Sequence, residues 1–338
     1  MTRILPLILA TLTFAPPPAW CAPPLADVHV HFKWSQEDVT TPQQAVDILI
    51  DNDIALAVVI GTPAEYALRL ERLAPDRIVP IWSPYRTSGD WSSWAYNKAV
   101  VERARQAIGS GAYQGIGELH LIGGFTPHWG SAVIAGLAET AAEFDVPMML
   151  HTEMSRPDYM LGICEAYPDV RFLWAHAGAI LPPEQVAGVM TRCPNLWAEL
   201  SARDPWRFLN NPIVDRNNVL LPEWRKLIET FPTRFMLGSD PVWPVDNLDS
   251  WDQADTGWQE YGRFVDFHRQ WLEQLPAHLA KKLSLDNAVA FWGQSKNYHD
   301  SKRGDRIQQQ VSAQGRTDGA FNTDLPAGDS PAHHSARK

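Results

Sequence analysis

Short apolar runs recur through the middle of the chain, at Leu25–Phe32, Ile54–Gly61, Ile78–Ser83, Gln114–Leu121, Val146–Thr152, Val170–His176, Leu196–Ser201 and Phe235–Asp240. Each has the length of a strand and is rich in Val, Ile, Leu, Phe, Trp or Met. Near-continuous apolarity suits parallel strands covered on both faces. Segments with helical start signals lie between the runs. Thr41-Pro42 offers an N-cap followed by proline at the first helical position, opening Gln43–Asn52. Pro63–Leu73, Asn97–Gly109, Ala132–Phe144, Arg156–Tyr167, Pro182–Cys193, Leu221–Thr230 and a closing Leu279–Trp292 read as further helices. Eight strands alternating with helices predict an α/β fold, a single-domain (β/α)8 TIM barrel over residues 22–294. A doubly wound open sheet is the rival topology, but no Gly-rich dinucleotide fingerprint follows the first strand. The connections after the seventh strand (202–220) and the eighth (241–257) are long and carry Trp and charges, as loops on the catalytic face of a barrel do.

The ends of the chain depart from this rhythm. Arg3, the apolar stretch Ile4–Phe14, the break at Pro16-Pro17-Pro18 and Ala19-Trp20-Cys21 read as a secretory signal over residues 1–21. The apolar run is too short for a permanent membrane anchor, and Trp20 makes Cys21 a poor lipidation site, so an exported, periplasmic or secreted protein is expected. From residue 295 onward the chain is polar and nearly free of large apolar residues, which predicts a disordered tail. Two cysteines remain after cleavage, Cys164 and Cys193. They read as buried free thiols, although an oxidising compartment permits a disulfide. The net charge is −10 and no Lys/Arg-rich run interrupts it. That disfavours a long nucleic acid as partner and leaves a small-molecule substrate.

The strand ends carry the chemistry. Asp27-Val28-His29-Val30-His31 alternates, so His29 and His31 share a face with Asp27 one step behind. Glu118 lies in the fourth run, His151 and His176 end the fifth and sixth, and Asp240 ends the eighth. Singly, each passes for a hydrogen-bonded strand end. A barrel gathers all of them at one mouth, and four imidazoles with two carboxylates there point to a metal site. The donors are N and O without thiolate, which suits Zn²⁺ first, then Mn²⁺, Fe²⁺ or Co²⁺, in a catalytic rather than a closed structural site.

Asp27-x-His29-x-His31, the lone His151 and His176, His176-Ala177-Gly178, Leu237-Gly238-Ser239-Asp240-Pro241 and the closing Leu285–Gly293 resemble the amidohydrolase superfamily, most closely its amidohydrolase-related branch. The resemblance covers about residues 25–293. It implies that His29, His31, His151 and Asp240 bind a first metal and that His176 binds a second or acts on the substrate. Many two-metal members bridge their ions with a carboxylated lysine on strand four. This chain has no lysine there but Glu118, similar to the strand-four glutamate of TatD-like nucleases. Glu118 therefore reads either as a bridge between two ions or as an acid/base group over one.

The chemistry so implied is hydrolysis of an ester, lactone or amide by activated water, with Asp240 taking the proton and His176, if not a ligand, polarising the carbonyl. Arg86, Arg156, Arg203 and Lys33 follow strand ends and suggest an anionic substrate, unless they are surface ion pairs with neighbours such as Asp158 and Asp204. Trp34, Trp82, Trp206 and Trp243 wall the same mouth or simply pack. The alternatives are a decarboxylase, prompted by Asp27, a nuclease, prompted by Glu118, and a non-enzymatic metal or ligand binder of the envelope.

Overall fold

The first strand, β1 (Leu25–Lys33), buries all nine of its residues, as a strand between a filled barrel and a helical layer must. The computed structural model describes residues 24–121, 126–152, 156–207, 211–241, 253–254 and 256–293. The expected signal segment and polar tail, Trp243 and most of the connection after the eighth strand lie outside them. Helix α1 (Pro42–Asp51) begins with a capping box: the Gln44 N–H donates to the Thr41 hydroxyl, and the Thr41 N–H donates to the Gln44 side chain. There follow β2 (Ile54–Thr62), α2 (Glu65–Leu73), β3 (Ile78–Ile81), the single turn α3 (Asp90–Ser93), α4 (Ala99–Gly109), β4 (Ile116–His120), α5 (Ala132–Phe144), β5 (Met148–His151), α6 (Pro157–Ala166), β6 (Phe172–Trp174), α7 (Pro183–Arg192), β7 (Leu196–Glu199), α8 (Pro222–Thr230), β8 (Phe235–Met236), α9 (Tyr261–Leu272), α10 (Ala277–Lys281) and α11 (Asn287–Trp292).

Every strand and helix expected from the sequence is present, and the structure adds the single turn α3 and the helix α9. That helix buries Tyr261, Phe264, Val265, Phe267, His268, Trp271 and Leu272. Its inner face is largely aromatic and interleaved with charges, so no continuous apolar run marks it.

All ladders are parallel, in the orders β1-β2-β3 and β4-β5-β6-β7-β8. Backbone hydrogen bonds close both seams. Trp82 N donates to Gly115 O and Gly117 N to Trp82 O, each at 2.8 Å, while Val28 N donates to Leu237 O at 2.9 Å and Asp240 N to His29 O at 2.8 Å. The sheet is therefore a closed barrel and not a doubly wound open one. Its floor is packed with Ala26, Val28, Val58, Ile60, Val79, Ile81, Met149, Leu173 and Met236, and Ala288, Phe291 and Trp292 of α11 plug it from below. The outward residues of the same strands, such as Val59, Ile78, Leu150 and Phe172, join the larger core beneath the helices.

Cys164 on α6 and Cys193 after α7 form a disulfide, with Cα atoms 5.9 Å apart. This corrects the free-thiol expectation: the two helices are sequence neighbours packed side by side, which sequence separation alone does not reveal. The bond closes a loop of 29 residues, a length for which chain entropy gives about 3.6 kcal/mol of stabilisation. Reduction should shift the urea midpoint of unfolding downward by the equivalent of about 2–4 kcal/mol. An unchanged midpoint with the thiols shown to be free would remove the disulfide from the stability account. Among the described residues no helix is long and apolar enough to cross a membrane.

Candidate metal centre at the barrel mouth

Two β-bulges aim the site. In β1, Asp27 pairs with Ala57 and Val30 with Val59, so three steps on β1 face two on β2. The extra residue reverses the alternation. Ala26 and Val28 point to the floor, but above the bulge Val30 and Phe32 point outward and His29 and His31 inward. In β4, Ile116 pairs with Met148 and Leu119 with Leu150, a second one-residue excess. It sits at Gly117, whose φ of +146° favours glycine and whose Cβ would fall 2.6 Å from Met149 O. Asp27 is thus not on the histidine face. Its carboxylate accepts from the N–H groups of His29 (3.1 Å) and Ser239 (2.9 Å) and from the Tyr261 hydroxyl, which ties the β1–β8 seam to α9.

Five expected residues and one unexpected one gather around the sixth, Glu118, which is itself buried. Glu118 Oε2 lies 3.4 Å from His29 Nε2 and 3.2 Å from His31 Nε2. These two ring nitrogens are 3.0 Å apart and stand 3.6 and 3.7 Å from Asp240 Oδ1. Glu118 Oε1 lies 2.8 Å from His151 Nδ1 and 3.6 Å from His176 Nε2, with those nitrogens 3.2 Å apart. The geometry places His151 and His176 together at the far oxygen of Glu118, while the resemblance names His151 with His29, His31 and Asp240. Ligand atoms bound at about 2.0–2.1 Å to one tetrahedral ion stand about 3.3 Å from each other. Both sets fit that spacing, and the donors are the N and O atoms that zinc-like ions take.

His120 is the unexpected member. Its Nε2 is 3.3 Å from Glu118 Oε2, and Tyr85 holds both its backbone N–H (2.9 Å) and its Nδ1 (2.8 Å). Glu118-x-His120 repeats the two-residue spacing of His29-x-His31, the signal by which sequence would reveal it. Glu199 at the end of β7 also reaches the cluster, 3.0 Å from His29 Nδ1.

The electrostatics favour ionised carboxylates. Burial disfavours charge on Glu118, yet His29, His120 and His151 outweigh it and hold the carboxyl well below its usual range. Asp240 is likewise lowered against its burial by His29, His176 and Arg207. Burial opposes charge on His29, but Glu118, Asp240 and Glu199 raise its pKa well above the ordinary imidazole value. Burial dominates at His120 and pushes it down to about 3.

Two site residues sit on left-handed backbone, His176 at φ 56° and Asp240 at φ 48°, a conformation costing about 1–2 kcal/mol for a non-glycine residue. A buried arginine from the β7 loop grips each turn. Arg203 Nε donates to His176 O (2.8 Å), and its two terminal nitrogens donate to Ala177 O, Leu181 O and Asn211 O. Arg207 donates to Ser239 O (2.8 Å) and Asp240 O (3.1 Å) and lies 3.4 Å from Asp240 Oδ2. Arg203 is therefore a backbone clamp and not a substrate ligand, since its guanidinium is committed to carbonyls. Sequence reasoning missed Arg207, four residues further on.

The other expected cations divide. Arg156 is exposed and paired with Asp158 at 3.0 Å, the surface-pair reading. Arg86 is exposed. Lys33 is buried at the top of β1, on the face of His29 and His31. Trp82 belongs to the core, Trp34 is half-buried, and Trp206 packs on Phe267 of α9 with Arg263 over its ring.

A closed parallel barrel with histidines and carboxylates gathered at the C-terminal mouth defines a class, the hydrolytic metal-site barrels. The chain belongs to the amidohydrolase family, whose model matches residues 26–294. It is an enzyme, a metal-dependent hydrolase. Among solved structures it is similar to a proposed 2-pyrone-4,6-dicarboxylic acid hydrolase of Pseudomonas putida, at 17% identity over 80% of this chain and 97% of that one, with a TM-score of 0.53. A mutant organophosphorus hydrolase of Deinococcus radiodurans matches at 12% identity over 80% and 92%, with a TM-score of 0.53. An uncharacterised TIM-barrel protein of Bordetella bronchiseptica matches at 14% over 75% and 82%, with a TM-score of 0.51. At these identities the likeness is one of fold. No curated protein matches the chain.

Proposed function

We propose that this enzyme hydrolyses an ester, lactone or amide bond of a small anionic substrate, with two divalent ions, zinc foremost, held by His29, His31, Glu118, His151, His176 and Asp240. The observation that carries this reading is the division of Glu118, one oxygen facing His29 and His31 and the other facing His151 and His176. Bound divalent ions supply Lewis acidity for the scissile carbonyl and bring the pKa of water down to about 7. Asp240, ionised and gripped by Arg207, accepts the proton of the attacking water and passes it to the leaving group. His176 serves as a ligand, because its Nε2 faces His151 and Glu118. Lys33 attracts the substrate's anionic group on the side of the mouth where β1 ends.

The decarboxylase reading loses its support, since Asp27 lies on the other face of β1 with its carboxylate held by Ser239, His29 and Tyr261. A nuclease is disfavoured by the net charge of −10.

Elemental analysis of reconstituted protein should find two ions per chain, and a chelator should abolish turnover until Zn²⁺ or Mn²⁺ is returned. A substrate panel for that assay begins with carboxylated lactones. One ion per chain would make Glu118 an acid/base group, and none would remove the metal site. We also propose export, supported by the signal-like residues 1–21 and the Cys164–Cys193 disulfide. Recovery of the disulfide-bonded protein only from the cytosol would overturn it.

A further inference from the structure

Glu199 is buried at the end of β7 and takes no part in the chemistry above. Its two oxygens accept four hydrogen bonds. Oε1 accepts from His29 Nδ1 (3.0 Å), His176 N (2.6 Å) and Ser201 Oγ (2.9 Å), and Oε2 accepts from Ser201 N (2.7 Å). Having given its hydrogen to Glu199, Ser201 Oγ accepts from His176 Nδ1 at 2.8 Å and also lies 3.3 Å from His29 Nδ1, while Glu199 Oε1 itself stands 3.5 Å from His176 Nδ1. The network therefore places a ring hydrogen on Nδ1 of both His29 and His176, so that Nε2 is the atom each would present to an ion. Those Nε2 atoms face opposite oxygens of Glu118, at 3.4 Å from Oε2 and 3.6 Å from Oε1. Gly238 makes room for this arrangement, because a Cβ there would stand 2.4 Å from Glu199 Oε2 and 2.8 Å from His29 Cβ.

We infer that Glu199 is the positioning residue shared by the two ion sites, fixing His29 directly and His176 through Ser201. The inference rests on the two-ion reading above. One carboxylate then sets the donor tautomer of one ligand on each side of Glu118, so its loss weakens both sites while loss of the Ser201 hydroxyl weakens chiefly the His176 side. Partners behind a metal ligand are worth about 10–100-fold in ion affinity.

The test titrates Zn²⁺ against a competing chelator into ion-free wild type, Glu199→Gln and Ser201→Ala. NMR of the histidine ring nitrogens in the Zn²⁺-loaded proteins reports which nitrogen of each ring keeps its hydrogen. In Glu199→Gln an amide N–H₂ meets groups that are all donors, so both binding events should weaken by about 10–100-fold and both tautomers should become mixed. In Ser201→Ala the event on the His176 side should weaken by that factor and the other by less, with the His176 tautomer disturbed more than that of His29. If Glu199→Gln does not fold, the unequal effect of Ser201→Ala carries the test. Wild-type affinity at both sites in the variants, or unchanged tautomers, overturns the inference and leaves the ion sites standing. Failure of the wild type itself to bind removes the two-ion reading and the inference with it.

Discussion

Replacing Asp240 with Asn should lower kcat by about 100- to 10,000-fold, the usual contribution of a group that moves a proton in the transition state. The substitution is a clean one for three reasons. Asn has nearly the same shape as Asp, it tolerates the left-handed backbone at φ 48°, and its carbonyl still accepts from Arg207. The charge that His29, His176 and Arg207 stabilise is lost, and with it the acceptor for the proton of water. Steady-state kinetics paired with ion analysis distinguishes the roles. If both ions are retained and kcat falls by less than about tenfold, Asp240 is a ligand alone. If one ion is lost with the activity, binding and proton transfer are combined in this carboxylate.

The second large effect is on stability. Arg203→Ala should cost about 4 kcal/mol or more, since four carbonyls lose their buried donor at about 1–3 kcal/mol each. Burial lowers the Arg203 pKa to about 9, an expense the fold carries because the guanidinium satisfies the carbonyls of His176, Ala177, Leu181 and Asn211. Its ring-stacking contact with Trp224, 4.6 Å from the guanidinium carbon, is lost as well. Urea unfolding of the variant measures the loss. A variant of unchanged stability whose KM for carboxylated substrates rises sharply would restore Arg203 to substrate binding and remove it as a clamp.

Strand and helix positions were legible because each strand is a near-continuous apolar run and most helices start at a Pro or a capping residue. His29, His31, Glu118, His151, His176 and Asp240 were legible because a polar residue behind such a run must lie at a strand end. Pairing was less so. The role of Asp27 was misread because strict alternation is a property of regular strands, and the bulge between Asp27 and Val30 cancels it. Arg203 looked like a surface charge or a substrate ligand, and Arg207 was passed over. Their work is set by carbonyls freed in the His176 and Asp240 turns, and a carbonyl's orientation leaves no mark in sequence. Glu199 was overlooked for the opposite reason: it ends a run with no motif around it, and its partners come from β1 and β6.

The two bulges act as a vernier, one scale set a single division off its neighbour. Below the offset β1 supplies part of a dry floor, and above it β1 and β4 supply donors. The height at which the imidazoles meet Glu118 is thus set by the number of residues in the wall. Removing Val28 would either leave a hole in the floor where its side chain packs or lower His29 and His31 by one strand step, about 3.3 Å, as much as the whole separation between donor atoms that now face one another. A one-residue deletion, harmless in most surface loops, would here leave every donor present in the chain and disturb either the floor or the level of the two β1 imidazoles.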